Sequence, residues 1–301
     1  MLEVAETIRR HGAAYCARIG PSLAPSQRRV LRDLAACRTP ACVGHIHQCD
    51  CCGRKVYANH SCGNRHCPKC HREQTARWPA NQRARLLPCA YFLLTFTLPQ
   101  ELRALARTHP AQGYGLLMQS AAAALQKLAL DPRYLGGRLG CLGVLPTWTR
   151  ALLYHPHVHL LVTAGGLSGD GTQWLEPKHP AYLVPVEALA PIFRAKLCAG
   201  LKQVGLLAQV PPGVWEKRWV GHWQPAGSGP QVLDYLGRYV CRVAIRNSRL
   251  ERLEAGQVTF RYRATRTQTL RRVTLSGVEF LRRFLQPVLP RGCTKVRSYG
   301  L

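Results

Sequence analysis

The sequence predicts an α+β chain, with helices and short strands intermixed and a small metal-stapled segment ahead of them. Three observations carry that expectation. From about residue 89 onward, short apolar runs of strand length alternate with stretches of helical periodicity. Residues 44 to 72 are a different material, rich in Cys, His, Gly and Asn and poor in aliphatics, which cannot bury a core unaided. Residues 1 to about 43 are basic, with apolar positions at helical spacing. A chain of 301 residues has room for two ordinary domains, and these changes of material divide it into 1–80 and 81–301.

The elements follow in order. "SQRRVLRDLAAC" offers a serine N-cap ahead of a helix. "YFLLTFTL" is a strand stopped by Pro99, and "QELRALARTH" a helix after it. "YGLLMQSAAAALQKLAL" is a strong helix with small residues on one side. "GVLPTWTRALLYHPHVHLLVTAGG" holds two strands and a connection, ended by Gly165 and Gly166. "VPVEALAPIFRAKLCAGLKQVGLL" is a further helix, and "PQVLDYLGRYVCRVAI" is helical at least as far as Tyr239. "RLERLEAGQVTFRYRA" gives a turn and a strand pair, and "SGVEFLRRFLQPVLP" a final capped helix.

The formal net charge is +27, so a polyanion is the expected partner, and nucleic acid is the commonest one. A membrane is not expected. The most apolar stretch, "CAYFLLTFTL", is long enough only for a buried strand, and "MLEVAETIRRHG" lacks the apolar centre of a signal peptide. The expected location is the cytoplasm. Of the 14 cysteines, seven fall between Cys42 and Cys70, and such clustering in a cytosolic chain points to metal ligands rather than disulfides.

Within that cluster stand Cys49-x-x-Cys52 and Cys67-x-x-Cys70. Two such pairs about fifteen residues apart match the spacing of a closed, structural four-cysteine zinc site. Cys51, Cys62, His45, His47, His60 and His66 are surplus to it, as ligands of a second ion or as plain surface residues. Arg54, Lys55, Arg65, Lys69 and Arg72 surround the site, either as a grip on phosphates or as a solvated face.

"YHPHVHLLV" places His155, His157 and His159 at every second position, on one face of a strand. Spacing alone leaves a polar strand face and a metal site equally open. "VLDYLGRYV" places Tyr235 and Tyr239 one helical turn apart, a pattern that suits core packing or a pair of nucleophiles toward phosphorus. A divalent ion on His157 and His159 would draw charge from the phosphate such a tyrosine attacks. Trp148, Trp219 and Trp223 are available either for base stacking or for core packing.

A His–hydrophobic–His strand followed by Tyr-x-x-x-Tyr on a later helix resembles the two-tyrosine branch of the HUH endonucleases. "CRTPACVGHIHQCDCCG" and "SCGNRHCPKC" narrow the likeness to rolling-circle transposases of the insertion-sequence-ninety-one type. "FTLPQELR", "HPHVHLLVTAGGLS", "KRWVGHWQPAG", "YLGRYVCRVAIRNSRL", "VTFRYR" and "EFLRRFLQPVLPRG" fit as well, so the likeness runs from about residue 8 to the end. Members commonly continue beyond a segment like the closing "VRSYGL". With the strand–helix pattern, the resemblance implies an antiparallel-dominated HUH sheet flanked by helices, His157 and His159 on a central strand. It implies Tyr235 and Tyr239 as nucleophiles, His157 and His159 as holders of Mg²⁺ or Mn²⁺, and His155 as a candidate third ligand or DNA contact. It further implies single-stranded DNA at element ends as substrate, a 5′-phosphotyrosine intermediate, and a nucleoid-associated cytoplasmic protein. The alternatives are a relaxase or replication initiator of the same chemistry, and a non-catalytic zinc-ribbon protein that binds nucleic acid.

Overall fold

The computed structural model describes residues 2–70, 86–179, 182–217, 219, 221–228, 231–232, 237, 240, 243–264 and 267–301. In chain order, α1 (Val4–Ile19) and α2 (Pro25–Ala36) precede a hairpin of β1 (Gly44–Gln48) and β2 (Lys55–Asn59). Strand β3 (Ala90–Thr97), helices α3 (Leu102–Thr108) and α4 (Pro110–Ala129), and strands β4 (Gly140–Val144) and β5 (His157–Thr163) follow. Next come the short pair β6 (Gly166–Leu167) and β7 (Trp174–Leu175), helix α5 (Val186–Gln203) and strand β8 (Gly221–Ser228). The chain closes with β9 (Leu250–Glu254), β10 (Gln257–Arg263), β11 (Leu270–Ser276), α6 (Gly277–Leu285) and β12 (Val296–Gly300).

These elements form two compact units that are interleaved along the chain. One gathers residues 1–77, 148–153 and 241–288, and the other 78–147, 154–240 and 289–301. The reason is packing: the apolar faces of β9, β10 and α6 are buried with the N-terminal helices rather than with the residues that precede them in sequence.

In the first unit, α1 and α2 present Val4, Ile8, Tyr15, Val30, Leu31 and Leu34 to a core completed by Phe260, Phe280, Leu281, Phe284 and Leu285. Helix α2 starts at Pro25, one residue ahead of the expected serine cap, because proline's fixed φ suits the first helical position. The β9–β10 turn is the two-residue pair Ala255 and Gly256, both at positive φ, as the twist of a tight hairpin requires. Helix α6 has the expected cap: the Glu279 N–H donates to Ser276 Oγ at 3.3 Å.

Glu279 also accepts from Arg282 and Arg283, at 2.6 and 2.7 Å, and these charge-assisted bonds pull its carboxyl from 4.5 down to about 2. A carboxylate with a lowered folded pKa stabilises the fold above its ordinary pKa and loses that contribution as pH falls toward the folded value. The melting-temperature difference between wild type and Glu279→Gln is therefore expected to be full above about pH 5 and to vanish by about pH 2. A difference independent of pH across that window would exclude the ionic contribution.

The second unit is built on a five-stranded sheet in the order β12-β4-β5-β3-β8, antiparallel at every pair. One face, with Phe92, Leu94 and Phe96 of β3 and Val158, Leu160 and Val162 of β5, packs under α4 and α5 through Leu117, Ala121, Leu125, Phe193 and Leu197. Strand β5 is buried on both sides from Val158 onward and is followed by Gly165, whose φ of +130 disfavours a side chain and where a Cβ would lie 2.6 Å from Trp174 Nε1. The tryptophans serve as packing. Trp148 and Trp219 are each 5% exposed, Trp219 donates to the Val214 carbonyl, and half-buried Trp223 donates to the Val184 carbonyl while packing edge-on to Phe92. The N–H groups of Trp219 and Trp223 are satisfied in this way, Trp148 is as buried as Trp219, and base stacking by these three is set aside.

Candidate catalytic strand and zinc centre

Alternation along β5 puts His157, His159, Leu161 and Thr163 on the face opposite the α4–α5 core. The rings of His155, His157 and His159 lie in a row, with centroids 5.2 and 4.9 Å apart. His157 and His159 are in the central strand, and His155 stands just before it, held by its N–H to the Thr147 carbonyl. His157 Nδ1 lies 2.8 Å from the His155 carbonyl oxygen, which can only accept, so Nδ1 carries the proton and Nε2 is the nitrogen suited to a metal. His159 Nδ1 lies 2.8 Å from Thr95 Oγ1 on the neighbouring strand, which likewise directs ligation to Nε2.

Thr95 is a residue that sequence reading missed; only strand pairing puts it opposite His159. Replacing it with valine keeps the shape and removes the hydroxyl. The expected result is a roughly 10–100-fold loss of Mn²⁺ affinity, measured by calorimetry, with the melting temperature little changed. Unaltered affinity would mean that Thr95 does not orient the ring. Burial, helped by the charge of Arg103, lowers the pKa of His155 and keeps its ring neutral, the form in which imidazole ligates or accepts. Among the described residues Arg103 Nε is buried without a hydrogen-bond partner, a donor suited to an anion.

Tyr235 and Tyr239 lie outside the described residues. On either side of them in sequence, Val232 and Val240 are helical and belong to an apolar cluster with Tyr91, Val144 and Leu161. Leu161 shares the β5 face of His157 and His159, so these valines pack on the histidine side of the sheet. The Lys295 ammonium fixes the Val240 carbonyl at 2.7 Å.

In the first unit, Cys37, Cys62, Cys67 and Cys70 come together, with all four sulfurs within 4.8 Å of one another. The Sγ separations of 3.5 Å (Cys37–Cys70), 3.5 Å (Cys67–Cys37) and 3.7 Å (Cys62–Cys70) approach the roughly 3.8 Å edge of a tetrahedron with Zn–S near 2.3 Å. Burial pushes the Cys67 thiol up to about 12 and raises that of Cys62 further. Burial also opposes a thiolate at Cys70, yet hydrogen bonds from Cys37, Cys62 and Cys67 bring its pKa below the ordinary value. Burial works against thiolates at Cys62 and Cys67, and a divalent cation is what makes four thiolates compatible with so little exposure.

Cys67 and Cys70 of the expected set are in this cluster, while Cys49 and Cys52 stand exposed at the β1–β2 turn. The cluster completes itself with Cys37 at the end of α2 and Cys62 after β2. Cys37 was concealed in the sequence because it continues the buried stripe Val30, Leu34 at helical spacing and reads as core. Of the basic residues, Arg54, Lys55 and Arg65 are exposed, Lys69 pairs with Glu3 at 2.7 Å, and Arg72 lies outside the described residues.

Comparison with known proteins finds family matches over both regions of the chain. A family described as "Transposase zinc-binding domain" matches residues 7–98, and one described as "Putative transposase" matches residues 140–301. "Putative transposase y4qJ" of Sinorhizobium fredii is 41% identical over 318 residues, covering 99% of this chain and 79% of that protein. The "Transposase for insertion sequence element IS801" of Pseudomonas savastanoi pv. phaseolicola is 30% identical over 268 residues. That match covers 83% of this chain, which spans 63% of the length of the relative. Among solved structures, the conjugative relaxase TrwC in complex with oriT DNA is similar over 38% of this chain and 44% of its own, at 18% identity and a TM-score of 0.32. The zinc-binding match over the cysteine region and the transposase match over the histidine strand make this chain a member of the IS91-type transposases, with an N-terminal zinc-binding domain.

Proposed function

We propose that this transposase nicks and rejoins single-stranded DNA at element ends through a 5′-phosphotyrosine intermediate. The observation that carries the reading is on the sheet: two imidazoles with fixed Nδ1 partners share a face with the valines that bracket Tyr235 and Tyr239 in sequence. One tyrosine loses its phenolic proton and its oxygen bonds to phosphorus; the P–O3′ bond breaks, and the 3′ oxygen takes up a proton. The number of phosphodiester bonds is conserved, so rejoining needs no ATP. The second tyrosine serves the later strand transfer. His157 and His159, with His155 as a candidate third ligand, would hold Mg²⁺ or Mn²⁺, and that ion would supply neutralisation of charge on the non-bridging phosphate oxygens. An imidazole set favours Mn²⁺ of the two. Arg103 supplies a guanidinium donor beside His155 for a phosphate oxygen.

The zinc-binding part and its exposed arginines hold the DNA backbone. Among the described residues no helix is long and apolar enough to cross a membrane. The proposed place of action is the nucleoid in the cytoplasm. The test is a labelled single-stranded oligonucleotide carrying an element end, incubated with the full chain and Mn²⁺. A shifted band that survives SDS, and disappears in Tyr235→Phe/Tyr239→Phe, is the expected result. Absence of any such band across both element ends would leave a zinc-dependent DNA-binding protein without this chemistry.

A further inference from the structure

The grouping of Cys37, Cys62, Cys67 and Cys70 releases the other Cys-x-x-Cys pair from the site its spacing suggested. That pair stands on the β1–β2 hairpin, an element with almost nothing to hold it. Every residue of β1 is exposed, as are all but one of β2, and Ile46, Val56 and Tyr57 are exposed by half or more. A two-stranded hairpin without an apolar face against a core is marginal in water. Something else must order it.

The turn is already shaped around Cys49. Its N–H donates to the Arg54 carbonyl at 2.9 Å, and the Gly53 N–H donates to its carbonyl at 2.9 Å, with Gly53 at φ +65. The backbone N–H groups of Cys52 and Cys51 hydrogen-bond to the Cys49 sulfur. The histidines gather on the same side. His45, His47 and Cys49 alternate along β1 and its extension, and the His60 N–H reaches the Val43 carbonyl across the hairpin. The ring centroids of His45 and His47 are 4.4 Å apart, and those of His45 and His60 are 5.2 Å apart. His47 is two residues, about 6.6 Å, before Cys49 along the strand, within reach of a shared ion; His45 is twice as far.

We propose that the hairpin carries a second metal site, in which Cys49, Cys52 and His47 bind one zinc-class divalent ion separately from the four-cysteine centre. Thiolate and imidazole together select a borderline-soft ion, and water completes four-coordination. The four-cysteine donors already lie within 4.8 Å of one another, whereas the hairpin set closes by rotation of exposed side chains. The hairpin ion is accordingly the weaker of the two and the first to leave. Its effect is to staple the hairpin.

Zinc per chain, measured by elemental analysis and native mass spectrometry on the full chain, tests this directly. Two equivalents are expected in wild type. One is expected in Cys49→Ser/Cys52→Ser, and one in Cys37→Ser, with Cys51→Ser retaining two. His47→Ala, which leaves both thiols in place, is expected to weaken the second equivalent at least tenfold in a chelator titration. Replacement by Co²⁺ gives a second readout: the sulfur-to-cobalt charge-transfer absorption falls in part, not wholly, in Cys49→Ser/Cys52→Ser. A wild-type content of one zinc overturns the proposal, whether that zinc survives in Cys49→Ser/Cys52→Ser or is lost from it. So does a second equivalent that Cys49→Ser/Cys52→Ser leaves in place.

Discussion

Replacing His157 and His159 together with alanine is expected to lower cleavage of single-stranded DNA at least about a thousandfold, with binding of the same DNA changed by only a few fold. The magnitude follows from charge: a divalent ion at a transferring phosphate contributes several kcal/mol to transition-state stability, and about 1.4 kcal/mol is tenfold in rate. The separation from binding follows from position. Both imidazoles sit on the sheet face opposite the α4–α5 core, so the double variant removes the proposed metal donors without opening the main core. His155→Ala isolates a different contribution. The His155 carbonyl, not its ring, accepts from His157 Nδ1, and alanine keeps that carbonyl. If the His155 ring is a third ligand, Mn²⁺ affinity falls tenfold or more; if it is a DNA contact, Mn²⁺ affinity holds and the Michaelis constant for DNA rises. Cleavage by His157→Ala/His159→Ala within tenfold of wild type would refute the histidine site.

Cys37→Ser is expected to release one zinc and to destabilise the first unit by at least about 3 kcal/mol, roughly 10 °C in melting temperature. Structural zinc sites of this kind contribute on the order of 10 kcal/mol of apparent binding energy, which the folded unit receives because its ligands meet only when folded. Cys37, Cys67 and Cys70 are also counted in the apolar core with Val30, Leu34 and Phe280. Loss of the ion therefore leaves two buried thiols and the half-buried Cys62, which can no longer all ionise, inside the same packing that orders α1 and α2. Circular dichroism melts with and without a chelator, beside zinc content, measure both effects. A Cys37→Ser protein with full zinc and an unchanged melt would return the site to Cys49, Cys52, Cys67 and Cys70.

Local pattern made much of this protein legible in advance. Alternation alone defined β5 and put His157 and His159 on one face, because the strand period does not depend on what the strand packs against. Ser276 and Glu279 marked the start of α6, since a capping serine acts within one helical turn. The Cys67-x-x-Cys70 knuckle is equally local and appears as expected. What failed to be legible is what depends on partners distant in sequence. Cys37 and Cys70 are 33 residues apart and are joined through α2 and the loop after β2, a contact that no spacing rule specifies. Thr95 meets His159 across 64 residues only because β3 and β5 pair in that register.

The amino-acid sequence by itself determined the basic charge, the strand and helix periods, the histidine face and the presence of a cysteine-rich segment that needs a metal. Tertiary structure alone decided which four cysteines share one centre, that residues 241–288 pack with the N-terminal helices, and that the tryptophans are core. The physical reason is common to all three. Periodicity and capping are settled within a few residues by backbone geometry, whereas a metal centre or a core is settled by which apolar faces find one another when the whole chain collapses.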